Sequence, residues 1–309
     1  MEDRYKGMLL GALVGDALAL GVHWIYDVEY LKSKYGEVRD FLSPSENPYH
    51  STKSKGEFTH YGDQIILLME SIVEAKGFDL NNFAQKWQSF MEHYTGYKDQ
   101  ASQITLQNLQ KGYLPDKAGS PSNDLAGAVR SVAIGYVYGE DLESFIKYAT
   151  AQTKFTHNDP DVLLCTSFFA TLIHMTLKGR SPVESILEIT NTTFKNTKIS
   201  QWVDKAFNIK ATPTESILRF GQSCHTPEAF PGVIFIIKEF QADFERALVE
   251  SIMAGGDNAT RASAVGMLLG AFHGQEGIPN RWITGLAHLN RINALVEKLD
   301  EIRRNQSRH

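Results

Sequence analysis

Gly255-Gly256-Asp257-Asn258-Ala259-Thr260 opens directly into an apolar run from Ala262 to Phe272. Two glycines free the backbone for a tight turn, and an acidic residue then stands at the mouth of a helix. A helix mouth offers unpaired N–H groups and the positive end of the macrodipole. Asp257 is therefore placed to hold a metal ion or to flank an anionic ligand, although an Asp there can equally be a plain N-cap. A second construction of the same kind lies early in the chain. Thr59-His60-Tyr61-Gly62-Asp63-Gln64 precedes an apolar helix from Ile65 to Glu70. Carboxylates and Thr hydroxyls converging from two such mouths across a cleft favour a hard cation such as Mg2+, which prefers oxygen ligands.

Other residues carry chemistry less specifically. His157 and Asp159 sit in Thr156-His157-Asn158-Asp159-Pro160, at the entry to a helix starting near Asp161. His157 can contact a ligand there, or the group can serve only to start the helix. His174 lies inside an apolar helix and reads as a satisfied core or interface histidine. His23-Trp24-Ile25-Tyr26-Asp27 ends the first long helix, where aromatics can stack on a base or pack on the core. Cys224 stands beside His225, but no third group is visible to orient a nucleophile.

Most of the chain repeats at helical period, as in Ile65–Ala75, Leu142–Ala149, Val162–Leu177, Val183–Ile189 and Phe244–Ala254. Pro and Gly mark loops at Ser43–Ser54, Gly112–Asn123, Lys178–Pro182 and Gly274–Asn280. Val233–Ile237 suits a short strand or a buried helix equally. Strands and helices do not alternate, so a doubly wound nucleotide fold is excluded and the expected class is all-α. Gly7, Gly11 and Gly15 are spaced four apart, and so are Gly266, Gly270 and Gly274. Each helical Gly costs about 1 kcal/mol relative to Ala, so two ladders need a packing reason. The first helix and the helix after Thr260 are expected to cross tightly, bringing Asp16 near Asp257.

The 309 residues are expected to form a single domain, residues 1–309, and the net charge of −5 contains no basic block. A nucleic-acid footprint is thereby disfavoured. Cys165 and Cys224 are the only cysteines, which suits a reducing compartment. The apolar stretch Gly7–Val22 carries Asp16 and is short for a bilayer, so no membrane role and a cytoplasmic location are expected.

Gly7–Gly21 (GMLLGALVGDALALG), His60–Leu68, Thr156–Pro160 and Gly255–Gly274 occur in the order seen in the ADP-ribosylglycohydrolase family. Gly127-Ala128-Val129-Arg130 also resembles that family's Gly-Ala-x-Arg helix start. The family is related to dinitrogenase-reductase-activating glycohydrolase and includes the jellyfish J1-type crystallins, and the resemblance runs from Gly7 to about Trp282. It implies a compact orthogonal multi-helix fold with a central cleft. In active members two Mg2+ ions, sometimes Mn2+, orient the ribose of an ADP-ribosyl group while water cleaves an N- or O-glycosidic bond.

Departures from the family pattern fall on the metal ligands. Members carry Thr-Asp-Asp-Thr before the glutamine; aligned on Gln64, this chain has His60, Tyr61, Gly62 and Asp63. The late motif Asp-x-Asp-Thr reads Asp257-Asn258-Ala259-Thr260. Three carboxylates are absent at the aligned positions, which leaves too little negative charge to hold two dications. The combination resembles the J1-crystallin-type branch. Two functions are carried forward. In the first, the chain is a divergent hydrolase of an ADP-ribosyl or related ribosyl-nucleotide substrate: Asp257 and Thr260 hold at most one Mg2+ or Mn2+, Asp63 and Asp257 serve catalysis, and His60, Tyr61, Asn258, His157 and Asp16 contact substrate. In the second, it is an inactive ADP-ribose-like ligand-binding or crystallin-like structural protein.

Overall fold

The computed structural model describes residues 1–306. Its architecture is all-α, as expected, with no β-strand among the described residues. Two isolated bridges, Ser120 to His157 and Asp124 to His225, stitch the loop around Asp124 between two other segments.

The glycine ladders explain the centre. Helices Glu2–Leu20 and Asn258–His273 are buried on nearly every side, so neither shows a polar face. A Cβ built on Gly11 would land on the carbonyl of Gly266, one on Gly7 on that of Gly270, and one on Gly15 on that of Ala262. The two helices thus run antiparallel with backbones in direct contact, which no residue larger than Gly permits at these points. Ser263 Oγ donates to Ala12 O at 2.9 Å across the seam. The remaining helices wrap this pair, and one apolar cluster extends from Tyr5 to Ile302.

Val233–Ile237 belongs to the helix Thr226–Phe240 and is wholly buried, which accounts for its strand-like composition. The helix Pro160–Leu177 is apolar enough to cross a bilayer by length and composition, yet 67% of it is buried inside the fold. A core helix produces the same signal.

The central pair positions the chemistry. Beyond Leu20 the chain turns through His23 and Trp24, and Trp24 N donates to Gly256 O at 2.9 Å while Gly256 N donates to Ile25 O at 2.8 Å. Gly255 and Gly256 have φ of +70° and +68°, a backbone region that favours glycine. Their turn delivers Asp257 to the start of its helix beside His23. Trp24 itself has φ +66°, and its ring stacks on His23. Strain of this kind persists only where surroundings over-determine it.

Candidate active site

Asp257 caps its helix and also meets side chains from two other segments. Its Oδ1 accepts from Thr260 N at 3.1 Å and from His23 Nε2 at 3.1 Å, and its Oδ2 accepts from the Tyr61 hydroxyl at 3.0 Å. The Tyr61 hydroxyl also lies 3.0 Å from Asp124 Oδ2, and Asp124 Oδ1 accepts from Ala126 N at 2.8 Å. One hydroxyl has one hydrogen. With an oxygen of each carboxylate at 3.0 Å, the second contact needs a proton on a carboxyl group. Electrostatics select Asp124: burial, with Asp257 and Asp99 nearby, pushes it up to about 7. Burial also works to raise Asp257, but His23, the Thr260 N–H and Tyr61 hold it well below the usual carboxylate range.

Behind Asp257 the chain of bonds continues. His23 Nδ1 lies 2.8 Å from His50 Nε2. Burial lowers His23, and burial with the neighbouring His23 takes His50 down to about 2, so the pair is neutral. His23 Nε2–H then donates to the carboxylate, and His23 Nδ1 accepts from His50.

A second group adjoins the first. Asp99 caps the helix Gln100–Gln110 through Ser102 N and faces His60, whose Nε2 is 3.4 Å from Asp99 Oδ2. Burial alone would lower His60, and Asp99 more than reverses this, raising its pKa. His157 brings a ring nitrogen within 4.8 Å of carboxylate oxygens of Asp99 and Asp124. Its Nδ1 is 2.8 Å from Thr156 Oγ1, which also receives Arg130 Nη2 at 2.6 Å. Arg130 is further fixed by Gln64 and Gln152, so the Gly-Ala-x-Arg segment braces the wall that carries His157.

Cys224 joins Asp124 and Asp257 within the same limit. Burial and those carboxylates raise its thiol far above the usual value, which keeps it protonated and a poor nucleophile. Asp99 and Cys224 are the partly exposed members of the cluster, whereas Asp257, Asp124 and His157 are buried.

The expectation that Asp16, Asp63 and Asp257 converge on one cleft does not describe the structure. Asp63 Oδ2 is held at 2.5 Å by both Lys53 and Tyr94, and it borders a separate surface cavity of about 380 Å3 with Phe58 and Leu67. Tyr61 and Asp63 are two residues apart on one helix, so they leave it on opposite sides and only Tyr61 reaches Asp257. Asp16 accepts from Thr59 N at 2.8 Å and Thr59 Oγ1 at 2.6 Å. It therefore supports the early helix mouth from beneath. Asn258 is likewise turned to the backbone, donating to Val22 O and Ile252 O. Thr260 Oγ1 is buried without a hydrogen-bond partner. His60, Tyr61, His157 and Asp257 are the expected residues that the fold does gather.

Asp99, Asp124 and His50 escape the sequence reading, which marks His23 only as one of the aromatics ending the first helix. Asp99 had a usable signal: an acidic cap after the aromatic turn Tyr94-Thr95-Gly96-Tyr97, the same pattern that singled out Asp257. Asp124 stands at the end of a loop and had none.

The donor set does not fit a pair of Mg2+ ions. Position 61 offers a neutral phenol whose pKa burial raises further, Gly62 and Ala259 offer nothing, and Asp257 already uses both oxygens. Hard dications held close together need more ionised oxygen than this.

Buried carboxylate, tyrosine and histidine side chains are thus gathered at the mouth of the helix Asn258–His273 in an all-α fold. The chain belongs to the ADP-ribosylglycohydrolase family, whose family model matches residues 1–308. It is 30% identical over 307 residues to an uncharacterized protein of Archaeoglobus fulgidus, covering 98% of this chain and 97% of that one. Crystallin J1A of Tripedalia cystophora is 26% identical, with 97% of both chains covered. The human ADP-ribosylhydrolase ARH3 is 21% identical, with 97% and 93% covered. A solved ADP-ribosylglycohydrolase-related protein complex superposes with a TM-score of 0.76 at 21% identity over 98% of each chain.

Proposed function

We propose that the chain hydrolyses the N- or O-glycosidic bond of an ADP-ribosyl or related ribosyl-nucleotide substrate, with its own proton-carrying side chains doing most of the chemistry. The observation that carries this reading is the Tyr61 hydroxyl, 3.0 Å from a carboxylate oxygen of both Asp124 and Asp257. Cleavage at an anomeric carbon passes through an oxocarbenium-like state, which paired carboxylates beside the sugar stabilise. As the glycosidic bond breaks, His60, whose pKa Asp99 raises, gives a proton to the leaving group. The water that adds to the anomeric carbon is acidified by the cationic sugar, so the weakly basic Asp257, oriented by His23 and linked through Tyr61 to Asp124, suffices to take its proton. His60 and His157 line the same cluster and are suited to ribose or phosphate oxygens. The single Mg2+ or Mn2+ expected on Asp257 and Thr260 has no step in this reading, because the neutral Thr260 hydroxyl adds no charge to the one carboxylate there and Ala259 supplies no ligand.

One observation favours the alternative of a ligand-binding or crystallin-like protein. Asp257 is 1% exposed and fully hydrogen-bonded, as a residue retained for structure would be. Calorimetric titration of ADP-ribose, with Mg2+ and then with EDTA, separates the two readings when joined to a turnover assay on ADP-ribosyl substrates. Hydrolysis that survives EDTA and falls at least about 100-fold in Asp257→Ala supports the proposal. Binding without turnover in the folded parent protein replaces it with the second reading.

A further inference from the structure

We propose that Asp99, Asp124 and His157 form a site for one divalent transition-metal ion of zinc type, distinct in ligands from the family's all-oxygen pair. Three observations meet there. Oxygen atoms of Asp99 and Asp124 and a ring nitrogen of His157 lie within 4.8 Å of one another, a spacing that one ion can bridge with small side-chain shifts. His157 Nε2 is buried with no hydrogen-bond partner, while Nδ1 is occupied by Thr156. A buried polar atom left unsatisfied is costly, and a metal–nitrogen bond is one way to satisfy it.

Charge makes the third observation. Asp124 is 6% exposed, and its carboxyl has the Tyr61 hydroxyl, the Ala126 N–H and the Cys224 thiol as hydrogen-bond partners, all neutral. Asp99 and Asp257 crowd it, and although His60, Arg130 and Arg261 act on those two neighbours, no ion pair reaches Asp124 itself. A bound dication would meet that carboxyl directly in place of its proton.

The donor types select the ion. Imidazole with two carboxylates suits Zn2+ and its neighbours, whereas Mg2+ strongly prefers oxygen and sheds water reluctantly. Only three protein ligands are supplied, so coordination positions remain for water or for a substrate oxygen, as in catalytic zinc centres. The histidine is braced from behind by Thr156 and Arg130, the outer-shell support that metal-binding imidazoles require. The site stands on geometry and is read by metal binding, so it survives or falls separately from the hydrolase reading.

The test is a calorimetric titration of tag-free, chelator-stripped full-length protein with ZnCl2 and, separately, with MgCl2. One Zn2+ per chain is expected, with affinity at least about 10-fold weaker in His157→Ala and in Asp99→Asn. Mg2+ should give no saturable heat at the same concentrations, and His93→Ala, on an exposed surface, should bind Zn2+ like the parent. Far-UV circular dichroism checks that each variant is folded. If His157→Ala is not, X-ray absorption at the zinc edge of the loaded parent replaces it and should show an imidazole in the coordination shell. No stoichiometric Zn2+ binding, undiminished binding by folded His157→Ala, Mg2+ binding as tight as Zn2+, or a zinc shell without imidazole would each overturn the proposal.

Discussion

Tyr61 shows how one replacement changes the chemistry of a site. Where the family's pattern has an aspartate, this chain has a phenol, and its hydroxyl spans two carboxylates that would otherwise repel each other. Removing that oxygen leaves the buried Asp257 acceptor without its donor and the Asp124 proton without its acceptor. Tyr61→Phe should therefore lose about 1–3 kcal/mol of stability, the usual cost of an unsatisfied buried acceptor. Asp124→Asn disturbs the same contact, so the double variant should lose less than the sum of the single losses. Urea denaturation of the four proteins measures this coupling, and strict additivity would show that the three groups do not act together. The residue scale was also where sequence reading served least evenly. Asp257, Tyr61 and His157 announce themselves by motif, but Asp124 has only a loop around it, and a contact across 133 residues leaves no local pattern.

Among the elements, the two glycine-laddered helices decide the rest. Replacing a helical Gly with Ala ordinarily stabilises by up to about 1 kcal/mol. At Gly11 the sign should reverse, because the new methyl would occupy the space of the Gly266 carbonyl. Gly11→Ala should cost about 1–3 kcal/mol or more by overpacking. Gly232→Ala is the contrasting case: its Cβ would meet the Arg261 side chain at an ordinary 3.4 Å inside the helix Thr226–Phe240. It should be neutral or slightly stabilising. Thermal melts of the two variants check the pair, and equal shifts would remove the close-crossing explanation. This crossing was legible because spacing at helical pitch is a local property that survives without coordinates. The helix mouths were legible for the same reason. Which side of the early helix enters the cleft was not, since Tyr61 and Asp63 differ by only two positions and the choice between them is made by packing.

At the scale of the whole molecule, stability carries a pH signature. Asp16, enclosed by the first helix and the early helix mouth, is pushed up to about 7 by burial, in spite of two hydrogen bonds from Thr59; the nearby Asp63 adds to the rise and His60 opposes it. The ordinary value is 3.8, so the folded chain keeps a proton that the unfolded chain releases between those values. The stabilisation is complete below about pH 4 and is lost as pH rises through about 7. Asp16→Asn cannot lose it. Its melting temperature relative to the parent should therefore rise from about pH 5 to about pH 8, and a flat difference would mean that Asp16 is ionised throughout. The crossing of the two glycine-laddered helices has a temporal consequence as well. Ala12 and Ser263 are 251 residues apart yet share a hydrogen bond at the centre. During translation at about 5–20 residues per second, the apolar first helix emerges and must wait on the order of ten seconds or longer for its partner. Throughout that interval the nascent chain cannot bury the glycine face of its first helix in native fashion, so the centre of this protein closes only after Asn258–His273 has left the ribosome.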